Sequence, residues 1–327
     1  MPVNNLASAL SARFEHHGRT TDLDEAVELQ RSAVQLCCYS HPDCSLSLNN
    51  LANILQTRFE QYGHSTDLDE SIELHRSALE LRPSGHPNRS SSLTNLARSL
   101  QIRFRQHGRD TDVDEAIKYS RAALERFPCD HPNRSTPPMI LAAALRTRFE
   151  QHGQTADLDE AIDYHRTVLE LCPNGHPNRP MSLNSLAYAL QTRFRQHGQT
   201  SDIDEAIKHH CTALELRPDG CASRSTSLNN LASTLQARFG QYGQTTDLDE
   251  AVEHYRVALD LFPDGHHIRP MFLSNLAIAL QTRFEHYGWT ADLDEAVELH
   301  HSAVELYPNG HASRSMSLNN LAFCLYI

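Results

Sequence analysis

Apolar residues along this chain fall at helical spacing in short blocks, and the blocks repeat. In LSLNNLANILQTRFEQYG (46–63), Leu48, Leu51, Ala52, Leu55 and Phe59 stand at i, i+3, i+4, i+7 and i+11, the spacing of one face of an amphipathic helix. Gly63 follows as a stop signal. A second face, Leu68, Ser71, Ile72, Ala78 and Leu79, predicts another helix that starts at Asp67 and ends before Pro83. The leucine of an L-A dipeptide then recurs at Leu6, Leu51, Leu96, Leu141, Leu186, Leu231, Leu276 and Leu321, each step being 45 residues. The Arg-Phe pairs (Arg13-Phe14 to Arg283-Phe284) and the glycines from Gly18 to Gly288 keep the same step. So do Pro83, Pro128, Pro173, Pro218, Pro263 and Pro308, a column broken only by Cys38.

A helix pair of this size cannot bury its apolar stripe alone, whereas stacked neighbours can, at roughly 1.5–3 kcal/mol per large side chain. The period therefore predicts an all-α chain, an α-solenoid of antiparallel helix pairs forming a single array over residues 1–327. Units lie near 1–45, 46–90, 91–135, 136–180, 181–225, 226–270 and 271–315, with an unpaired terminal helix over 316–327. A length of 327 residues would otherwise suggest about two compact domains. Each second helix opens on D-x-x-E, as at Asp67 and Glu70, which reads as a capping box that also suits the helix dipole. A calcium loop is the sharper reading of that run, but the glycine and distal glutamate it needs are missing. The fourth unit reads Thr136-Pro137-Pro138-Met139-Ile140, so its first helix should begin late, with a local break near 135–140.

The repeat resembles the tetratricopeptide family. AIDYHRTVLELCP, ending at Pro173, looks like the second helix of such a repeat, with Ala161, Val168 and then the proline. HPNRS-x-SLNNLA is similar to the matching stretch of kinesin light-chain repeats, although 45 residues exceed the usual 34. The phrases DLDEAI and GHPNR-xx-SLNNLA look most like fungal arrays of the type that precede CHAT protease domains. The resemblance implies a right-handed superhelix whose first helices line a concave groove. It also implies a non-catalytic scaffold that binds a protein or peptide partner. The alternative it leaves open is a regulatory fragment of a larger fungal protein with a CHAT-type or other effector domain.

Within that frame the asparagines stand out, because asparagine is a mediocre helix former. It occupies the position before the L-A leucine at Asn5, Asn50, Asn95, Asn230, Asn275 and Asn320, failing only at Ile140 and Ser185, and Asn49, Asn184 and Asn229 precede it. The resemblance implies that the asparagine matching Asn50 hydrogen-bonds the backbone of an extended peptide. A carboxamide suits that task because it both donates and accepts. The competing reading is that these amides only bridge adjacent helices.

Net charge is −12, but it is segregated: second-helix segments carry −24, first-helix segments +7 and the links +5. An acidic convex face and a mildly basic groove are expected. The functional version is a preference for carboxylate-bearing peptides at Arg103, Arg105, Arg146, Arg148, Arg193 and Arg195. Alternatively, the arginine of each Arg-Phe pair simply meets acidic residues of the next unit.

Other chemistry is thin. The histidines of the link column (His41, His86, His131, His176, His266, His311) lie about a repeat apart, too far to share one ion with ~2 Å bonds. The eight cysteines show no C-x-x-C, which reads as free thiols in a reducing compartment. We expect no cofactor, no metal, no catalytic constellation and no nucleic acid, since the charge disfavours a phosphate-backbone binder. No apolar run is long enough to span a membrane, so a cytoplasmic protein is expected. The terminal helix has no second helix to cover it, which points either to a truncated product or to an end that pairs, including end-to-end self-association.

Overall fold

The computed structural model describes residues 2–17, 19–37, 44–127, 134–218, 222–261, 268–307 and 312–326. Gly18, Cys38, Pro128, Pro263 and Pro308, and the link histidines His41, His131, His266 and His311, lie outside these residues. The described residues form fifteen α-helices. Two compact units emerge, Met1–Leu171 and Cys172–Ile327.

In the first unit, α1 (Pro2–His17) pairs with α2 (Thr20–Leu36), α3 (Cys44–Tyr62) with α4 (Ser65–Glu80), α5 (Arg89–His107) with α6 (Asp110–Arg126), and α7 (Thr136–His152) with α8 (Thr155–Leu171). The second unit repeats the scheme with α9 (Arg179–His197), α10 (Thr200–Glu215), α11 (Ala222–Tyr242), α12 (Thr245–Asp260), α13 (Arg269–Tyr287) and α14 (Thr290–Leu306), and ends on α15 (Ala312–Tyr326). Within each unit a second helix also packs on the next first helix, and successive first helices touch. The fold is a tetratricopeptide-like stack of antiparallel pairs.

The apolar stripe read from the sequence is the core. Leu55, Leu96, Leu100, Leu141 and Leu145 are fully enclosed in the first unit, and Leu276, Leu280 and Ala277 are equally enclosed in the second. On α15, Leu318 and Leu325 are 45% and 68% exposed, where their counterparts Leu48 and Leu55 are covered by α4. First helices stop where glycine permits a left-handed residue: Gly108 has φ 63°, and its N–H reaches Phe104 O at 2.7 Å. As expected from its prolines, α7 starts late, at Thr136, whereas α5, α9 and α13 start one residue after the link Asn or Ile, at Arg89, Arg179 and Arg269.

The capping box is corrected. Helix α4 starts at Ser65, two residues earlier than expected, and the residue before it, His64, makes no side-chain cap bond. Asp67 lies inside the first turn, and its carboxylate instead receives Arg58 through Nε at 2.7 Å and Nη2 at 2.8 Å. A two-pronged charged pair outcompetes a bond to a neutral backbone N–H, while the acid keeps its favourable place at the helix N-terminus. Glu70 likewise turns to the preceding unit and accepts from Arg31 at 2.7 Å.

The links carry a device with no counterpart in the sequence reading. Arg89, Arg224 and Arg269 each donate to a carbonyl near the end of the preceding second helix, Leu79, Leu214 and Leu259, at 3.0–3.1 Å. These guanidiniums add a charged donor to the last turn of the second helix, where Leu79 O and Leu214 O also accept from the N–H groups of Arg82 and Arg217.

Candidate functional site

The first-helix face is built from positions that the helical period places on one side: in α3, Asn50, Asn53, Thr57 and Glu60. Three cavities open between successive first helices on this face. One of about 230 Å³ lies between α1 and α3, lined by Ser8, Ser11, Ala12, Asn50, Asn53 and Ile54. One of about 440 Å³ lies between α3 and α5, lined by Phe59, Glu60, Gly63, Ile102, Arg105 and Gln106. In the second unit, an open cleft of about 640 Å³ lies between α9 and α11.

The asparagines separate into three groups. Asn49, Asn184 and Asn229 are buried between helices. Asn184 donates to Ser227 at 2.8 Å and faces His210 Nδ1 at 2.9 Å, so it ties α9 to both α10 and α11. Asn95 donates to Asn49 and to Asn53, both at 3.2 Å, and Asn275 donates to Asn229 at 2.9 Å; these amides bridge neighbouring first helices. Asn5, Asn50, Asn230 and Asn320 are half-buried or exposed, and their side chains make no hydrogen bond among the described residues. Asn50 lines a cavity. Ile140, which takes the asparagine position in α7, is buried.

The arginines separate just as cleanly. Arg103 meets Asp112 at 2.8 and 2.7 Å and Asp69 of the preceding unit at 2.9 Å. Arg148 repeats this with Asp157 and Asp114, and Arg193 pairs with Asp202. The guanidiniums of Arg103 and Arg148 are pushed above their ordinary range, chiefly by the hydrogen bonds to Asp112 and Asp157. The acids they meet belong to their own unit and to the one before, so the expected link to the following unit is corrected. The helical turn after Arg103 brings Asp112 back beside it, and stacking sets Asp69 at its other edge. Arg146 pairs along its own helix with Glu150. Arg105 and Arg195 are exposed and make no ion pair among the described residues.

A buried polar column also runs through the second helices: Gln30, His75, Ser120, His165, His210, Tyr255 and His300, none more than 2% exposed. Burial pushes His75 and His165 down to about 3, and His210 and His300 down to about 4, so all four are neutral near pH 7. The 45-residue step would have found this column. Among the described residues, no group of three or more His, Cys, Asp or Glu is placed to hold a metal, and no helix is long and apolar enough to cross a membrane.

A family model described as "Tetratricopeptide repeat" matches residues 3–43 and 45–88. That match falls on the first two units. Among solved structures, the human IFIT1 dimer with PPP-AAAA is 15% identical, with a TM-score of 0.63. That match covers 93% of this chain and 59% of IFIT1, so the chain spans well under two thirds of that relative. BtubC (BKLC) from P. vanneervenii is 18% identical with a TM-score of 0.52, covering 75% of this chain and 95% of BtubC. A Podosopora anserina putative kinesin light chain with nearly identical TPR-like repeats is 24% identical, with a TM-score of 0.49, covering 67% of this chain and 96% of that one. At these identities the likeness is one of fold. No curated protein matches the chain.

Proposed function

We propose that this protein is a non-catalytic interaction scaffold whose first-helix face binds an extended segment of a protein partner. The supporting observation is the unused amide at Asn50, and at Asn230 in the second unit, in the same row as Asn95 and Asn275, which are engaged between helices. An amide at such a place can donate to a carbonyl and accept from an N–H of a passing main chain, whatever its sequence. Cavities flank the Asn50 row and leave room for side chains. The net charge of −12 opposes a phosphate backbone, which argues for peptide over the nucleic acid named with IFIT1. The test is titration of peptides selected on the full chain, with their backbone amides N-methylated one at a time. Recognition of the main chain predicts loss of binding at alternate positions; no effect at any position would overturn the proposal.

A further inference from the structure

The cavity between α9 and α11 differs from the others in charge and in one residue. Along the first helices, one position of the face reads Glu60, Arg105, Glu150, Arg195, Gly240 and Glu285. In the α3–α5 cavity an acid, Glu60, lines the same space as Arg105. In the α9–α11 cavity the member opposite Arg195 is Gly240, so nothing answers the guanidinium.

Gly240 lies within helix α11, where glycine costs about 1 kcal/mol against alanine. Its backbone is ordinary, and a Cβ built there meets no atom within 4 Å, so neither a turn nor packing requires it. What the glycine supplies is open space beside an exposed, unpaired arginine. Gln196, Ser233, Gln236 and Gln241 complete the lining with amides and a hydroxyl. The walls are tied together at one end, since the Tyr242 hydroxyl meets Thr200 at 2.8 Å and donates to Gly198 O at 3.2 Å. The pocket exists before any ligand arrives, which lowers the ordering cost of binding.

We propose that this pocket receives an acidic side chain of the bound segment, its carboxylate paired with Arg195 and its approach made possible by Gly240. The inference rests on the peptide-binding reading above. The partner then supplies the acid that the lining of this cavity lacks.

The test pans a phage-displayed library of random dodecapeptides on the full chain. Selected peptides should carry Asp or Glu at one fixed register. Arg195→Gln, which removes the charge, and Gly240→Glu, which supplies the acid internally, should each weaken a selected peptide about tenfold, the scale of a charge-assisted hydrogen bond. Replacing the peptide's acid by its amide should cost the same against the wild-type chain and nothing against Arg195→Gln. That last comparison holds even if Gly240→Glu perturbs the helix. Selected peptides that lack a fixed acid, or that bind Arg195→Gln as tightly as wild type, overturn the pocket and leave the scaffold reading standing. Failure to select any peptide overturns both.

Discussion

Arg103→Met separates a guanidinium that recognises a ligand from one that holds the stack together. Arg103 is 11% exposed in its side chain and Asp112 is 4% exposed, and two bonds of 2.7–2.8 Å join them. The substitution keeps most of the aliphatic stem and removes the charge, stranding a buried carboxylate. Breaking such a pair from one side costs about 3–5 kcal/mol. The third bond, to the half-exposed Asp69, adds at most about 1 kcal/mol. For a cooperative unit of this size each kcal/mol moves the melting temperature by about 2–4 °C, so a fall of roughly 6–12 °C is expected for a 3 kcal/mol loss. Far-UV circular dichroism during heating reads it. Adding Asp112→Asn should recover part of the loss by removing the stranded charge. The same change at Arg13, whose own side chain is 48% exposed, should cost less because solvent already weakens the pair from the arginine's side. An unchanged melting temperature in Arg103→Met, with weakened peptide binding, would refute this reasoning and return Arg103 to the groove.

Two glycine substitutions should have opposite signs. Gly108→Ala forces a side chain into φ 63° and should destabilise by about 1–2 kcal/mol, whereas Gly240→Ala fills empty space in a helix and should stabilise by about 0.4–1 kcal/mol; urea unfolding distinguishes them, and equal signs would contradict the backbone argument. The buried histidines predict acid sensitivity. Their folded values lie below the ordinary 6.5, so between that value and about 3 to 4 the unfolded chain binds more protons. Stability is fully present above pH 6.5 and is lost as pH falls, at up to about 1.4 kcal/mol per pH unit per histidine. His75→Gln with His165→Gln, borrowing the residue found at Gln30, should flatten the slope of melting temperature between pH 7 and 5; an unchanged slope would show that other groups set it.

The architecture was legible because each 45-residue block repeats the same helical apolar stripe, so every error would have had to recur. The glycine stops and the late start of α7 also followed from backbone chemistry. The helix starts did not: Asp67 reads equally well as a cap or as a partner for an arginine nine residues earlier, and only the turn between α3 and α4 decides. The asparagine row looked uniform in sequence, yet Asn95 and Asn275 are engaged between helices while Asn50 and Asn230 are not, a difference set by the neighbours at Asn49 and Asn229. Gly240 was visible as the one uncharged member of a charged column, but its meaning required the cavity around it. Within each compact unit, Met1–Leu171 and Cys172–Ile327, the helix pairs follow the expected 45-residue period.

The central claim is that unused asparagine amides on the first helices read a partner's main chain. Its most direct test measures peptide affinity and melting temperature for Asn50→Ala/Asn230→Ala beside Asn95→Ala. The account predicts that the double variant binds a selected peptide about 5- to 100-fold more weakly, as for two lost hydrogen bonds, and melts like the wild type. Asn95→Ala, which breaks a bridge between α3 and α5, should lower the melting temperature. Full affinity in the double variant, or a melting loss as large as that of Asn95→Ala, would contradict the account.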